Sequence, residues 1–394
     1  MALDTEPRLW PLYEAQVLAQ LPEIAAMPDL GAVDPHPAVV SFEAAFCLHL
    51  GGGRAAFYNS GTSALAAGLF ALDLPIGSEV IVPSHSFRGT VTPLFQFGLV
   101  PVLVACDASG SIEPAAVQQA ISSRTSAVII NHQWGLPADM VRLCALAQQH
   151  SLKLIEDASH AHATRMDGIA VGNFGDVAFF SCGTTKLVSG GLGGVLFSRS
   201  SAIFDRALVF GLAKHRCLAE INDATIRPLG RLGVGVNLRG YPLAAHLAHS
   251  HMKRLDNIAA AKNRNVAKFE SILTELFPMV RPLQRPKRWS EGVWYKLPCR
   301  VDEPAVRDRL VQVAVTAGIR LKHCDPPLAQ QFAASLDLGA GALSSRRLNF
   351  RYVDASDNCG LDDLVLFDTR DMYGEVDWDS CWQRLQRWSQ AFHA

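Results

Sequence analysis

Short β-branched runs alternate with longer stretches of helical apolar spacing along most of the chain. The apolar runs predict strands over 55–58, 79–82, 101–105, 126–131 and 153–156. Between them, helical spacing predicts helices over 62–74, 91–97, 114–122 and 138–149. Two further strands, 177–181 and 194–198, lie too close together for a full crossover helix. This alternation implies βαβ crossovers and a mainly parallel sheet flanked by helices, an α/β fold. A long helical pattern covers 243–276 and weakens near 263–265, so it reads as one helix or as two segments. Residues 278–290, rich in proline and basic side chains, read as a linker into a smaller C-terminal α+β domain. That domain is expected to hold a strand over 294–301, a helix over 303–317 and a final helix over 380–392. The expected division is 1–277 for an N-terminal segment and large domain, including the connecting helix, and 278–394 for the smaller domain.

Composition narrows the classes of function. With 394 residues, 49% hydrophobic and 19% charged, the chain has ample material for a buried core and is too apolar for disorder. Lys plus Arg (36) nearly cancels Asp plus Glu (37), which leaves no surplus of cations for a nucleic-acid footprint. The local cluster Arg281, Arg285, Lys287 and Arg288 reads as a solvated connection, with a polyanion site as the alternative. The longest apolar stretch, 93–106, is interrupted by Gln96, Gly98 and Pro101 and is too short to span a bilayer. The start, MALDTEPRLW, lacks the apolar segment of a secretory signal. Nine scattered cysteines without a C-x-x-C pair suggest neither a zinc site nor a disulfide framework. A cytoplasmic protein with reduced thiols, no bound metal, no nucleic acid and no membrane partner is expected.

In an open parallel sheet, ligands sit beyond the carboxyl ends of the strands, so residues just after predicted strands are the informative ones. Asn59-Ser60-Gly61-Thr62-Ser63 joins a strand to a helix. Its glycine allows close approach, and its amides open a positively polarised helix end, which suits a phosphate; an ordinary helix cap is the plainer reading. Phe87, in Pro83-Ser84-His85-Ser86-Phe87-Arg88, either stacks on a flat ring or packs in the core. Asp157 closes a buried strand, and its carboxylate needs either a helix to cap or a cationic ligand nitrogen. Lys186 lies in the loop Ser181-Cys182-Gly183-Thr184-Thr185-Lys186. There its ammonium is disfavoured and a nucleophilic amine results, unless it is a surface lysine. The run Gly190-Gly191-Leu192-Gly193-Gly194 lets backbone pass close to something bulky.

The order of these features is more specific than any one of them. A phosphate loop, an aromatic, an aspartate and a lysine, each after a strand of one sheet, are what pyridoxal phosphate requires. The lysine makes the Schiff base, the aspartate keeps the pyridine nitrogen protonated, the aromatic covers the ring and the helix end takes the phosphate.

With those residues in hand, the chain resembles the DegT–StrS (sugar) aminotransferase family of fold type I pyridoxal phosphate enzymes. The likeness is carried by Trp10-Pro11-Leu12-Tyr13, Ser60-Gly61-Thr62, 77–84, 132–140, Glu156-Asp157-Ala158-Ser159-His160-Ala161-His162, 172–176, Thr185-Lys186 and Gly235-Val236-Asn237-Leu238-Arg239. The resemblance implies Lys186 and Asp157 as catalytic residues and Phe87 as the ring stacker. It also implies His160 near the ring's phenolic oxygen, and Gly61, Thr62 and Ser181 on the phosphate. Asn237 matches a residue that reaches the phosphate of a neighbouring subunit, which implies a homodimer with shared sites. The implied reaction moves an amino group from glutamate or glutamine to a keto acceptor, by family default a keto sugar.

Several positions depart from the family pattern. Leu192 replaces a glutamate, Gly183-Thr184 replace His-Pro, and Arg88 stands where a small residue is usual. The alternative is therefore dehydration, cyclisation or Cβ/Cγ substitution on a non-sugar substrate, and a catalytically silent regulatory protein is a third reading. Arg88, Arg346, Arg347 and Arg351 are candidate anchors for an acidic group, with a surface role as the alternative.

Overall fold

The computed structural model describes residues 10–31, 34–332, 351–352, 361–373 and 375–393. Helices α1 (Ala15–Ala19), α2 (Leu21–Ala26) and α3 (Pro37–His49) precede β1 (Arg54–Tyr58). Then come α4 (Gly61–Leu72), β2 (Glu79–Pro83), α5 (Thr92–Gln96), β3 (Val100–Val104), α6 (Pro114–Ala120) and β4 (Thr125–Asn131). They are followed by α7 (Met140–His150), β5 (Lys153–Asp157), a small hairpin of β6 (Arg165–Met166) and β7 (Ile169–Ala170), β8 (Val177–Ser181) and β9 (Gly194–Ser198). Helices α8 (Ser201–Val209), α9 (Lys214–Glu220), α10 (Pro242–Met252) and α11 (Leu255–Leu276) lead to the C-terminal part. This contains β10 (Arg281–Pro282), β11 (Trp289–Glu291), β12 (Lys296–Arg300), α12 (Pro304–Thr316), β13 (Leu321–His323), β14 (Arg351–Tyr352), β15 (Leu364–Asp368) and a closing helix, Trp378–His393.

The large sheet runs β1-β9-β8-β5-β4-β2-β3-β14. From β8 through β14 every pairing is parallel, while β9 is antiparallel to both β8 and β1. The connection between β8 and β9 is too short for a crossover, so the second strand must run back beside the first. Because β9 alone is reversed, the carboxyl ends of β1, β2, β4, β5 and β8 share one edge, and every informative loop of the sequence opens there. The interior strands are buried along nearly their whole length, as expected for a sheet covered on both faces. Helix α4 is apolar almost throughout and is buried with α8 against one face, whereas α6 and α7 cover part of the other.

The long helical pattern is two helices, broken at Lys253–Arg254, earlier in the chain than its weakest apolar spacing. The polar residues that weaken the pattern make tertiary contacts inside α11. Asn263 donates to the Gly292 carbonyl (2.9 Å), Asn265 donates to the Met372 carbonyl (3.0 Å), and the Lys262 ammonium lies 3.7 Å from the Tyr373 ring centre. The basic stretch after α11 is also structured. Its β11 pairs with β6, Arg288 meets Asp167 at 3.0 Å, and Arg281 pairs with Asp302.

A separate antiparallel sheet runs β10-β12-β15-β13. Leu297, Cys299, Val365 and Phe367 belong to a core with Phe269, Phe277, Leu310 and Trp388, which come from α11, α12 and the closing helix. Alternation along the strands turns Lys296, Leu366 and Asp368 to the opposite face.

Candidate active site

At the shared carboxyl edge lies a cavity of about 740 Å³. Gly61, Thr62, Phe87, Asp157, His160, Ser181 and Lys186 all line it. Asn237 does not; it is exposed in the loop between α9 and α10. Among the described residues, no group of three His, Cys, Asp or Glu side chains is arranged to hold a metal ion.

One end of the cavity is made of backbone. Ser60 caps α4 in an extended conformation, and its hydroxyl accepts from the Ser63 amide at 3.1 Å. The amides of Gly61 and Thr62, ahead of it, have no acceptor inside the helix and sit at its positive end. A Cβ on Gly61 would stand 3.1 Å from the Ser181 Cβ, so the helix start and the end of β8 meet at a distance that suits glycine. Behind them Gly193, at φ +125°, passes so close to Phe57 that a Cβ would be 2.4 Å from its ring.

Deeper in, Asp157 is buried at the end of β5. Its carboxylate accepts from the Thr90 hydroxyl at 2.7 Å and from the Ser159 amide at 3.1 Å. Among the described residues it forms no ion pair. Thr90 escaped the sequence reading because nothing in one dimension links that hydroxyl to a carboxylate on another strand. The neighbouring Glu156 anchors the strand end by accepting from the amides of Gly172 (2.7 Å), Phe174 (2.8 Å) and Gly175 (2.7 Å). His132 Nδ1 accepts from the Ala138 amide, which leaves its Nε2 proton for Glu156 at 3.0 Å. Phe87 is 61% exposed at the cavity mouth, with the Arg88 guanidinium 5.3 Å from its ring centre.

Lys186 sits in the tight connection between β8 and β9. The N-terminal segment grips that connection from outside. Trp10 Nε1 donates to the Lys186 carbonyl at 2.6 Å, and the Tyr13 hydroxyl donates to the Ser189 carbonyl at 3.2 Å. His251 on α10 joins the two, accepting from the Ser189 amide (3.1 Å) and donating to the Leu12 carbonyl (3.1 Å). Burial pushes the His251 imidazole down to about 4, so it holds this junction in its neutral form.

Inside the cavity, Lys186 Nζ lies 4.4 Å from the ring centre of Tyr295. The Tyr295 hydroxyl is 2.7 Å from Thr185 Oγ1, and its ring stacks on His160 at 4.0 Å and 11°. Burial works to raise the Tyr295 phenol, but the Lys186 ammonium, the Thr185 hydrogen bond and Lys296 outweigh it and hold it below its usual value. Burial first, then Lys186, drives the His160 imidazole well down, so it is neutral. Tyr295 is the second residue that sequence reasoning missed; its only signal was a place at the start of a predicted strand.

The rest of the lining includes His85, Gln133, Leu192, Lys296, Asp325, Gln331 and Leu366. His85 is pushed down to about 4 by burial, and its Nε2 is 3.4 Å from Cys324 Sγ, a thiol that burial raises to about 12. Of the candidate acid anchors, Arg88 lines the cavity. Arg351 does not: β14 pairs with β3, and its guanidinium reaches Glu79 at 3.0 Å and the Ala120 carbonyl at 2.9 Å, at the amino end of the sheet. The buried Glu79 carboxylate has taken that cation. Arg346 and Arg347 lie outside the described residues.

A model of the DegT/DnrJ/EryC1/StrS aminotransferase family matches residues 19–338. A UDP-N-acetyl-3-dehydro-alpha-D-glucosamine 3-aminotransferase from Acidithiobacillus ferrooxidans is 40% identical over 158 residues, 40% of this chain and 42% of that protein. A dTDP-4-dehydro-2,3,6-trideoxy-D-glucose 4-aminotransferase from Saccharopolyspora spinosa is 27% identical over 305 residues, 74% of this chain and 77% of its own. Among solved structures, 3-amino-5-hydroxybenzoic acid synthase superposes with a TM-score of 0.78 at 25% identity, covering 98% of both chains.

Proposed function

The chain belongs to the DegT/DnrJ/EryC1/StrS aminotransferase family, and from that premise we propose that it moves an amino group from glutamate or glutamine to a keto sugar or similar cyclic ketone, with pyridoxal 5'-phosphate as cofactor. One observation carries the reading. Asp157 is a buried carboxylate held by two neutral donors and, among the described residues, no cation, in the same cavity as the Lys186 amine. A buried carboxylate without a counter-ion is costly, and a protonated pyridine nitrogen is the partner it fits.

Gly61, Thr62 and Ser181 would hold the phosphate, Asp157 the ring nitrogen, Phe87 a ring face, and His160 the phenolic side. When bound, the cofactor supplies an aldehyde that joins amines and a ring that takes up the electrons of a neighbouring C–H bond. The residues do the rest. Lys186 Nζ would bond that aldehyde at rest and, once displaced by the substrate amine, would move the proton as base and then as acid. Tyr295, whose ring centre lies 4.4 Å from that nitrogen, would hold the freed lysine on its ring face once it has taken up the proton. Asp157, fixed by Thr90 and Ser159, would orient the ring through its nitrogen.

The keto-sugar acceptor is supported by the two sugar aminotransferases named above, and the synthase named for 3-amino-5-hydroxybenzoic acid widens the choice beyond sugars. A homodimer with shared sites fits Asn237, which lies beyond its own cavity in a loop that also exposes Leu232, Val234 and Val236. Reduced thiols in the cytoplasm fit the described cysteines, none of which forms a disulfide; no described helix is long and apolar enough to cross a membrane. Leu192, 62% exposed and on the cavity wall, favours the second reading of non-transamination chemistry on a less polar substrate.

A half-reaction decides between them. Glutamate or glutamine added to the holoenzyme should convert the cofactor absorbance to that of its amine form and release one keto acid, and a ketone should reverse it. Elimination or substitution products with no amine form from any donor would replace transamination by the second reading.

A further inference from the structure

The charges lining the cavity leave one cation without a role. Asp157 is engaged by Thr90 and Ser159, and Asp325 is paired with Lys322 at 2.5 Å. Arg88 precedes Gly89, on which a Cβ would stand 2.7 Å from Thr62 Oγ1, so it belongs to the end of the cavity formed by the α4 N-terminus. Lys186 is the reacting amine. Lys296 remains.

Register fixes where Lys296 points. It pairs with Asp368, and Pro298 pairs with Leu366, which puts Lys296 and Leu366 on the same face of the C-terminal sheet. Both line the cavity. The other face of those strands is the apolar core, so Lys296 looks into the site from a rigid strand. The neighbouring cations on this face are taken: Lys322 by Asp325, and Arg320 and Arg370 by Asp368, the latter through Nε at 2.7 Å. Among the described residues Lys296 has no ion pair within 4.0 Å. It is half-buried, and burial, with Lys322 beside it, works against its charge. Tyr295, the residue next to Lys296 in the chain, has Lys186 Nζ 4.4 Å from its ring centre, and all three line the same cavity.

We propose that Lys296 is the carboxylate-binding residue of the amino donor, holding the acid group of the amino acid while its amine would take the place of the Lys186 amine on the cofactor aldehyde. The inference rests on the transamination reading for the identity of that donor. The phosphate end of the cavity combines amides and hydroxyls with Arg88 beside them, whereas this end offers a partly desolvated ammonium, which a carboxylate satisfies with a charge-assisted hydrogen bond. An acceptor that carries its own acid group would use the same ammonium in the second half-reaction.

The test titrates the holoenzyme with maleate, a dicarboxylate without an amine, by calorimetry, and with L-glutamate by cofactor absorbance, in wild type, Lys296→Gln and Lys296→Arg. Lys296→Gln should weaken maleate binding and raise the glutamate concentration for half-conversion by roughly 10- to 100-fold. The limiting rate should stay within about threefold and cofactor content should be unchanged, while Lys296→Arg recovers most of the affinity. If only acid-bearing ketones, and not glutamate, lose affinity in Lys296→Gln, the carboxylate belongs to the acceptor and the donor assignment falls. Equal maleate binding in wild type and Lys296→Gln, or a fall in limiting rate at unchanged half-saturation, overturns the proposal. Should Lys296→Gln fail to hold cofactor, Lys296→Met against Lys296→Arg makes the same comparison. A wild type that binds maleate through Lys296 yet converts with no amino acid overturns transamination and leaves this site standing.

Discussion

The two walls of the cavity are made by different means. On the large-sheet side, amides of a helix start, a strand-end aspartate and a tight lysine turn are each set within a few residues of a strand. On the other side, Lys296 and Leu366 project from two strands of a second sheet, with Tyr295 just before β12 and Asp325 just after β13, and all four act through side chains. Backbone donors and a locked carboxylate are indifferent to the rest of the sequence, so they suit a constant ligand. Side chains projected from a separate sheet can be exchanged one at a time without disturbing that constant half, so they suit the ligand that differs between enzymes.

The sharpest way to break this contrast is at Lys186. Lys186→Ala should cut turnover by about four orders of magnitude or more and abolish the yellow band of the lysine-bound cofactor, read by absorbance after gel filtration. A surviving yellow band would place the bond elsewhere. Asp157→Asn comes next: cofactor should remain bound while turnover drops roughly 100- to 1000-fold, because only the ring electrostatics are lost. Undiminished turnover would remove the aspartate from the constant wall.

Acid should act behind that wall. His162, buried between Phe46 and Phe180, is pushed down to about 3, first by burial and then by Lys186. Its folded value lies below the unfolded one, so the unfolded chain binds the extra proton. The stability it contributes is complete above about pH 6.5 and is lost as pH falls toward 3, amounting to about 2 kcal/mol at pH 5. His162→Leu should therefore flatten the decline in melting temperature between pH 7 and pH 5; an unchanged slope would assign the acid sensitivity to other groups. The smallest effect is expected at the variable wall. Tyr295→Phe keeps the ring beside Lys186 and removes the hydroxyl's hydrogen bonds to Thr185 and Lys186, for about 1 kcal/mol and a several-fold fall in kcat. Tyr295→Leu should cost more, since it removes the ring as well. If the two variants are equal, the ring face contributes nothing.

Much of the constant wall was legible in the sequence, because the α/β pattern predicts where strands end and chemistry there is local. Phe87, Asp157, Lys186 and the Ser60-Gly61-Thr62 turn each follow a strand, and the parallel order makes those ends coincide. What escaped was contact between distant segments. Thr90 reaches Asp157 only because β2 and β5 end at the same edge of the sheet, with β4 between them. Tyr295 had no local mark, since a tyrosine at a strand start is ordinary core material. Arg351 misled for the converse reason: its charge was visible, but the buried Glu79 that consumes it lies 272 positions away. The helix break was misplaced because Asn263 and Asn265 looked like interruptions and are tertiary donors.

Trp10 touches both halves of this molecule. Its indole holds the carbonyl of Lys186, its ring lies 4.2 Å from that of Tyr373, and its amide donates to the Arg370 carbonyl at 3.4 Å. A single side chain thus couples the turn bearing the reactive nitrogen to the segment that follows β15. A displacement of that segment would therefore press first on the indole, and through it on the backbone that carries the lysine.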